Sequence, residues 1–269
     1  MRLSLLNLIS TPVPVLNSLG LNLRVGLSSE DPMVTRHPSE QYDAFLTIYS
    51  PEGLFLGRVH LGQIPDHRRR FFDISAVTQE FVPEGDHLAV VHRVPSRLLS
   101  QVSSVEEEIE LPRAPDYSFF RSLVEYSFPQ GSNGSIIYET PPHLNAGASS
   151  NSLTFTNQIV LSQDLNSYLI IINHSVNPSY SQIADFFFGV HCLSGELAVS
   201  NDVSIGPFGI QILDMRRLIP EHLVEREEDP QDGLSWFTLV GGCEDAALLV
   251  LAINVSPGMR AVSVEHTHP

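Results

Sequence analysis

Apolar positions along this chain recur mostly at every second residue, in short runs closed by turn residues. From 19 to 27, Leu19, Leu21, Leu23, Val25 and Leu27 share one parity, with Asn22 and Arg24 between them. A period of two predicts a half-buried strand. Residues 1–9 and 13–27 read as two strands separated by Thr11-Pro12. Further strands are expected at 87–94, 135–138, 153–161, 167–174, 235–240 and 246–255. Gly131-Ser132-Asn133-Gly134 reads as a hairpin turn. Residues 117–128 fit strand and helix equally well.

Two stretches share one plan. Asp43 to Ser75 holds an apolar run, a turn at Ser50-Pro51-Glu52-Gly53, alternation, a turn near Pro65-Asp66, and a run ending in Phe72-Asp73. Ala184 to Arg217 holds a run at Phe186–Val190, a turn at Leu193-Ser194-Gly195, alternation, a turn at Gly206-Pro207, and a run ending in Leu213-Asp214. Leu16-Asn17-Ser18 also lines up with Leu165-Asn166-Ser167, and HLAVVHRV (87–94) resembles ALLVLAINV (247–255). The pattern predicts an all-β chain of two tandem β-sandwich or jelly-roll-like domains from an internal duplication. The first would span 1–97 and the second 117–269, with an acidic linker over 98–116. A closed, cupin-like barrel fits the same pattern. Asp73 and Asp214 end equivalent runs, where a carboxylate more often caps a turn than does acid–base chemistry. Phe186, Phe187 and Phe188 place rings on both faces of one strand, which predicts burial on both sides. With Tyr168–Ile172 they suggest an interface between domains or subunits.

Composition narrows the function. The 269 residues suffice for two cores without metal or disulfide staples. No apolar run reaches the roughly 18–20 residues needed to span a bilayer. The net charge is −16, and all 15 basic residues are Arg. An acidic surface repels phosphate backbones and anionic membranes, so neither nucleic acid nor membrane is an expected partner. Without Lys there is no Schiff-base chemistry. Cys192 and Cys243 are too few for a disulfide framework, and both sit in apolar runs as buried thiols. A bridge between them is open from sequence. The N-terminal apolar patch is broken by Asn7 and two prolines and reads as a first strand rather than a leader, which points to the cytoplasm. Asn133, Asn173 and Asn254 lie in Asn-x-Ser/Thr sequons, which matter only to a secreted chain.

The chain shows no phosphate-binding glycine loop, no GxSxG, no HExxH and no CxxC. Three clusters stand as candidates. Arg68, Arg69 and Arg70 form the densest basic group and could clamp an anion, or pair with the acidic runs at 106–110 and 225–229. Tyr138 and Glu139, beside a rigid Pro-Pro, could line a pocket at the domain junction. His143, His174 and His191 are the trio to test for a divalent metal in the second unit, although His191 lacks the second His of a cupin HxH pair. The expected function is a non-catalytic binding or structural protein without cofactor, acting through contacts with a protein partner or by self-association. The alternative is a bicupin or jelly-roll enzyme with a metal or pocket in the second domain.

Overall fold

A computed structural model describes residues 10–28, 41–65, 68–82, 84–101, 122–131, 133–138, 153–174, 180–244, 246, 248–258 and 260–266. Strands dominate, in two series of eight. The first series is β1 (Ser10–Val15), β2 (Asn22–Leu27), β3 (Tyr42–Tyr49), β4 (Phe55–Ile64), β5 (Arg70–Asp73), α1 (Ile74–Thr78), β6 (His87–Pro95), β7 (Ser122–Ser127) and β8 (Asn133–Tyr138). The second is β9 (Leu153–Leu161), β10 (Asn166–Asn173), β11 (Ala184–Cys192), β12 (Leu197–Ile205), β13 (Ile210–Asp214), α2 (Met215–Leu218), α3 (Glu221–Arg226), β14 (Ser235–Cys243), β15 (Leu248–Ser256) and β16 (Ala261–His266). No helix among the described residues is long and apolar enough to cross a membrane.

The strand orders prove the duplication. The first unit forms the sheets β1-β6-β3-β4 and β5-β2-β7-β8; the second forms β9-β14-β11-β12 and β13-β10-β15-β16. Adding eight to each strand number converts one pair of orders into the other. The helices agree too. Asp73 caps α1 by accepting from the Ala76 N–H, and Asp214 caps α2 by accepting from the Arg217 N–H. These carboxylates satisfy orphan donors at a helix start, as their shared place in the repeat suggested.

Three expectations change. β7 and β8, placed by sequence in the second domain, are hydrogen-bonded into the first unit's sheet through β2. The first unit therefore extends to Tyr138, beyond the boundary expected near 97, so the expected linker at 98–116 does not separate the two units; its residues 102–116 lie outside the described residues. The counterpart of β6 is β14, not the apolar β15, which matches β7 instead. Leu16-Asn17-Ser18 is also out of step. Arg24 pairs with Asp73 and Tyr168 with Asp214, so Asn22 is the counterpart of Asn166.

Packing follows from which parity is apolar. The even positions of β3 (Ala44, Leu46, Ile48) face β5-β2-β7-β8, where Thr11 bonds Ser122 between the sheets at 2.7 Å. The even positions of β11 (Phe186, Phe188, Val190) likewise pack on Leu169, Ile171, Leu248 and Val250. Two sheets bury both faces. On β10 and β15, Leu169, Ile171, Leu248 and Val250 join the second unit's core, while Ile170, Ile172, Leu249, Leu251, Ile253 and Val255 join the first unit's. On the other side, every residue of β3 is buried, as is every residue from His87 to Val94. The four sheets therefore stack as β5-β2-β7-β8, β1-β6-β3-β4, β13-β10-β15-β16, β9-β14-β11-β12, with the two units meeting at the middle pair. Each is an open sheet with edge strands, not a closed barrel.

Specific contacts lock that junction. Tyr49 stacks on Phe208 with centroids 5.1 Å apart, and the Ile210 N–H donates to the Pro51 carbonyl at 2.9 Å. Gly53, at φ +91°, could not carry a side chain there, because a Cβ would lie 2.0 Å from the Pro207 carbonyl oxygen. β8 and β16, edge strands of the first and third sheets of the stack, also meet directly beyond the edge of the sheet between them, so closely that a Cβ on Gly134 would meet the Val262 carbonyl at 2.7 Å.

Candidate functional site

The sequence-derived candidates do not converge. Arg68 and Arg69 are exposed ahead of β5. Arg70 is used locally: its Nη1 donates to the Gln63 carbonyl at 2.9 Å, and its guanidinium lies 4.7 Å from the centroid of Phe72. In the acidic run at 225–229, Glu227 takes Arg226 at 3.2 Å. Residues 106–110, the other expected partner, lie outside the described residues, as do Glu139 and His143. Tyr138 ends β8 opposite Ser122.

The proposed metal trio is not assembled. Asn173 donates to the Ile205 carbonyl, and Ile205 pairs with Ala184, so His174 lies at the Ala184 end of β11. His191 lies seven residues farther along that strand, roughly 23 Å away at about 3.3 Å per residue. Among the described residues no three His, Cys, Asp or Glu side chains could hold a metal ion. Cys192 sits opposite Phe237, and Cys243 opposite Phe186. Six residues of strand separate them, roughly 20 Å and far beyond disulfide reach. Both are buried and outside any disulfide, and burial, with Glu227 next, pushes the Cys192 thiol up.

His174 is instead a core residue at the unit junction. It is fully buried, packs edge-on against Phe208, and has no hydrogen-bond partner on either ring nitrogen among the described residues. Burial pushes its pKa down to about 3, so it is neutral at ordinary pH. Beside it Asn173 is a polar hub. Its amide donates to the carbonyls of Gln182 and Ile205, both at 2.9 Å, and it accepts from the Tyr180 hydroxyl at 2.5 Å. An asparagine so used and fully buried cannot take a glycan.

Asp43, His60 and Ser96 form the tightest polar cluster. The His60 Nε2 meets Asp43 Oδ1 at 2.7 Å, and Ser96 Oγ donates to Asp43 Oδ2 at 2.5 Å. Serine therefore bonds the carboxylate and not the imidazole, the wrong order for an activated nucleophile. The repeat gives its role: the equivalent Asp185 accepts from Ser204 on the neighbouring strand at 2.6 Å. Both carboxylates clamp β3 to β4, or β11 to β12.

The feature that sets the second unit apart is the outer face of β9-β14-β11-β12. Its residues are the odd positions of β11 and the even positions of β14. Asp185 and His191 at odd positions of β11 are the sequence signal that this parity faces water. Phe187 is 53% exposed, against the burial on both sides expected of the Phe triplet. Val240, Leu197 and Trp236 are also exposed. His191 and Leu197 pair across β11 and β12 and lie over Gly189, each 3.2 Å from where its Cβ would be. Sequence reading missed Trp236, Val240 and Leu197 because single apolar residues in strands look alike until a face is assigned.

The repeat supplies a control for each position. Phe187 corresponds to Phe45, Val240 to Val90, Leu197 to Phe55, and His191 to Tyr49. Phe45 is 7% exposed and Val90 fully buried. All four first-unit residues lie on the face turned to the second unit.

No family model and no curated protein matches the chain. Among solved structures it is similar to a glycosyl hydrolase family 2 member from Bacteroides cellulosilyticus, at 8% identity and TM-score 0.23, covering 96% of this chain and 25% of that one. It is similar to a lectin from Pleurotus ostreatus at 8% identity and TM-score 0.22, covering 100% and 83%. It is similar to the VP2 subviral particle protein of infectious bursal disease virus at 8% identity and TM-score 0.21, covering 91% and 59%. The chain spans about a quarter of the length of that hydrolase. Likenesses this distant carry no argument about what the chain does.

Proposed function

We propose that the chain is a non-catalytic binding module that acts through protein contacts, with the outer face of β9-β14-β11-β12 as its docking surface. One observation carries this reading. The same face of the first unit is covered by a protein sheet, β13-β10-β15-β16, and the second-unit copy keeps apolar residues at three of the four matched positions, Phe187, Val240 and Leu197, while these stand exposed. Exposed apolar residues gathered on one face mark interaction sites, whereas scattered ones do not. Asp185 and Asp202 stand on the β12 side and Thr154, Thr156 and Gln158 on the β9 side, a polar rim around an apolar centre.

The test is a photo-crosslinking side chain placed at Val240 and, separately, at Glu125 on the opposite outer sheet. Protein adducts at position 240 that disappear with Phe187→Asp, and are absent at position 125, are the expected result. Equal adducts at both positions, or none at 240, would sink the reading.

A further inference from the structure

We infer that the protein seated on this face is a second copy of the same chain, docked face to face about a two-fold axis; this rests on the docking reading above. Among the described residues two sheets stand outermost, and a head-to-tail array would bring β9-β14-β11-β12 of one copy onto β5-β2-β7-β8 of the next. That second face is built for water. Strand pairing aligns Glu125 with Ile253, Arg24 with Tyr168, and Leu123 with Leu251. Where β13-β10-β15-β16 presents Ile253 and Val255 to the first unit, β5-β2-β7-β8 presents Glu125 and Ser127. Arg24 there is already held, by Glu125 at 3.7 Å and over the Phe71 ring at 4.7 Å. Covering this pair would strip water from two charges with little return, so head-to-tail growth is disfavoured.

A two-fold contact needs a patch that complements itself. An apolar stripe does so, because Phe187, Val240, Leu197 and Trp236 can meet their own copies without pairing opposite charges. Ile183 and Leu193, exposed at the two ends of β11, lengthen it. Four strands at about 4.8 Å spacing and nine residues at about 3.3 Å give a face on the order of 500 Å². That is below the roughly 800 Å² per partner of a standard interface, which points to a reversible dimer. Each copy carries a net charge of −16, so general repulsion opposes the contact and salt relieves it.

Sedimentation of the whole chain from about 1 to about 200 μM tests this. The expected result is a species of twice the 29.8 kDa chain mass at the upper concentrations. Phe187→Asp and the milder Phe187→Ser should each weaken it at least tenfold while keeping the wild-type melting curve. Asn22→Asp on the opposite outer sheet should leave it unchanged. Affinity should rise several-fold between low and high salt. A dimer that survives both Phe187 variants forms through another face and overturns this inference, while the docking reading stands or falls on the crosslinking test. A chain that stays monomeric throughout overturns the second copy alone, since the crosslinking test still decides the docking surface. A dimer that loosens with salt also overturns it, because that behaviour requires opposite charges across the contact.

Discussion

Phe45 and Phe187 occupy the same place in two copies of one fold, and they live in different solvents. Phe45 is 7% exposed and stacks on His60 at 4.7 Å, on the side of β3 where Tyr49 meets Phe208, whereas Phe187 is 53% exposed to water. The backbone around each is equivalent, so strand propensity does not decide burial. The neighbour does. Duplication produced two similar faces, and stacking one unit on the other could cover only one of them. In stacked repeats the end surfaces must be made polar to stay soluble. The β5-β2-β7-β8 end has done this with Arg24 and Glu125, and the β9-β14-β11-β12 end has done it only at its rim.

The sharpest way to break this comparison is a charge at matched positions. Val90→Asp puts an uncompensated carboxylate between the units and should cost more than about 4 kcal/mol, enough to unfold a marginal chain. Val240→Asp should change stability by about 0.5 kcal/mol or less. Equal losses in denaturant melts would show that both faces are covered. Truncation is gentler. Phe45→Ala should cost about 3 kcal/mol and Phe187→Ala less than about 1.

Acid probes the same junction through His174. Its folded pKa is depressed, so it contributes fully while the unfolded chain is also neutral, above about pH 6.5. As pH falls below that value the unfolded state takes up a proton that the folded state refuses. Stability then drops, by about 2 kcal/mol at pH 5, and keeps falling until the folded pKa near 3. His87, also lowered by burial, acts in the same direction. His174→Leu should flatten this part of the pH–stability curve. An unchanged curve would place the acid sensitivity elsewhere. The smallest expected effects are those of the two caps, where Asp73→Ala and Asp214→Ala should each cost about 1 kcal/mol.

Sequence by itself determined a good part of this protein. Period-two alternation placed the strands, and in β2 the apolar residues Leu23, Val25 and Leu27 are buried while Asn22 and Arg24 are exposed. The matched runs ending in Asp73 and Asp214 exposed the duplication, because a strand followed by a capped helix leaves a local signature. These features arise from chain-local geometry, and the residue order records them directly. What tertiary structure alone decided is long-range. β7 joined the first unit because its hydrogen-bond partner is β2, roughly 100 residues earlier. His174 and His191 looked like companions in sequence and sit at opposite ends of a strand. Phe187 looked like core and faces water. A strand's alternation says that one side is buried and says nothing about a second layer. That second layer depends on which sheet stacks against it, and the chain records this only in the complementarity of faces far apart in sequence.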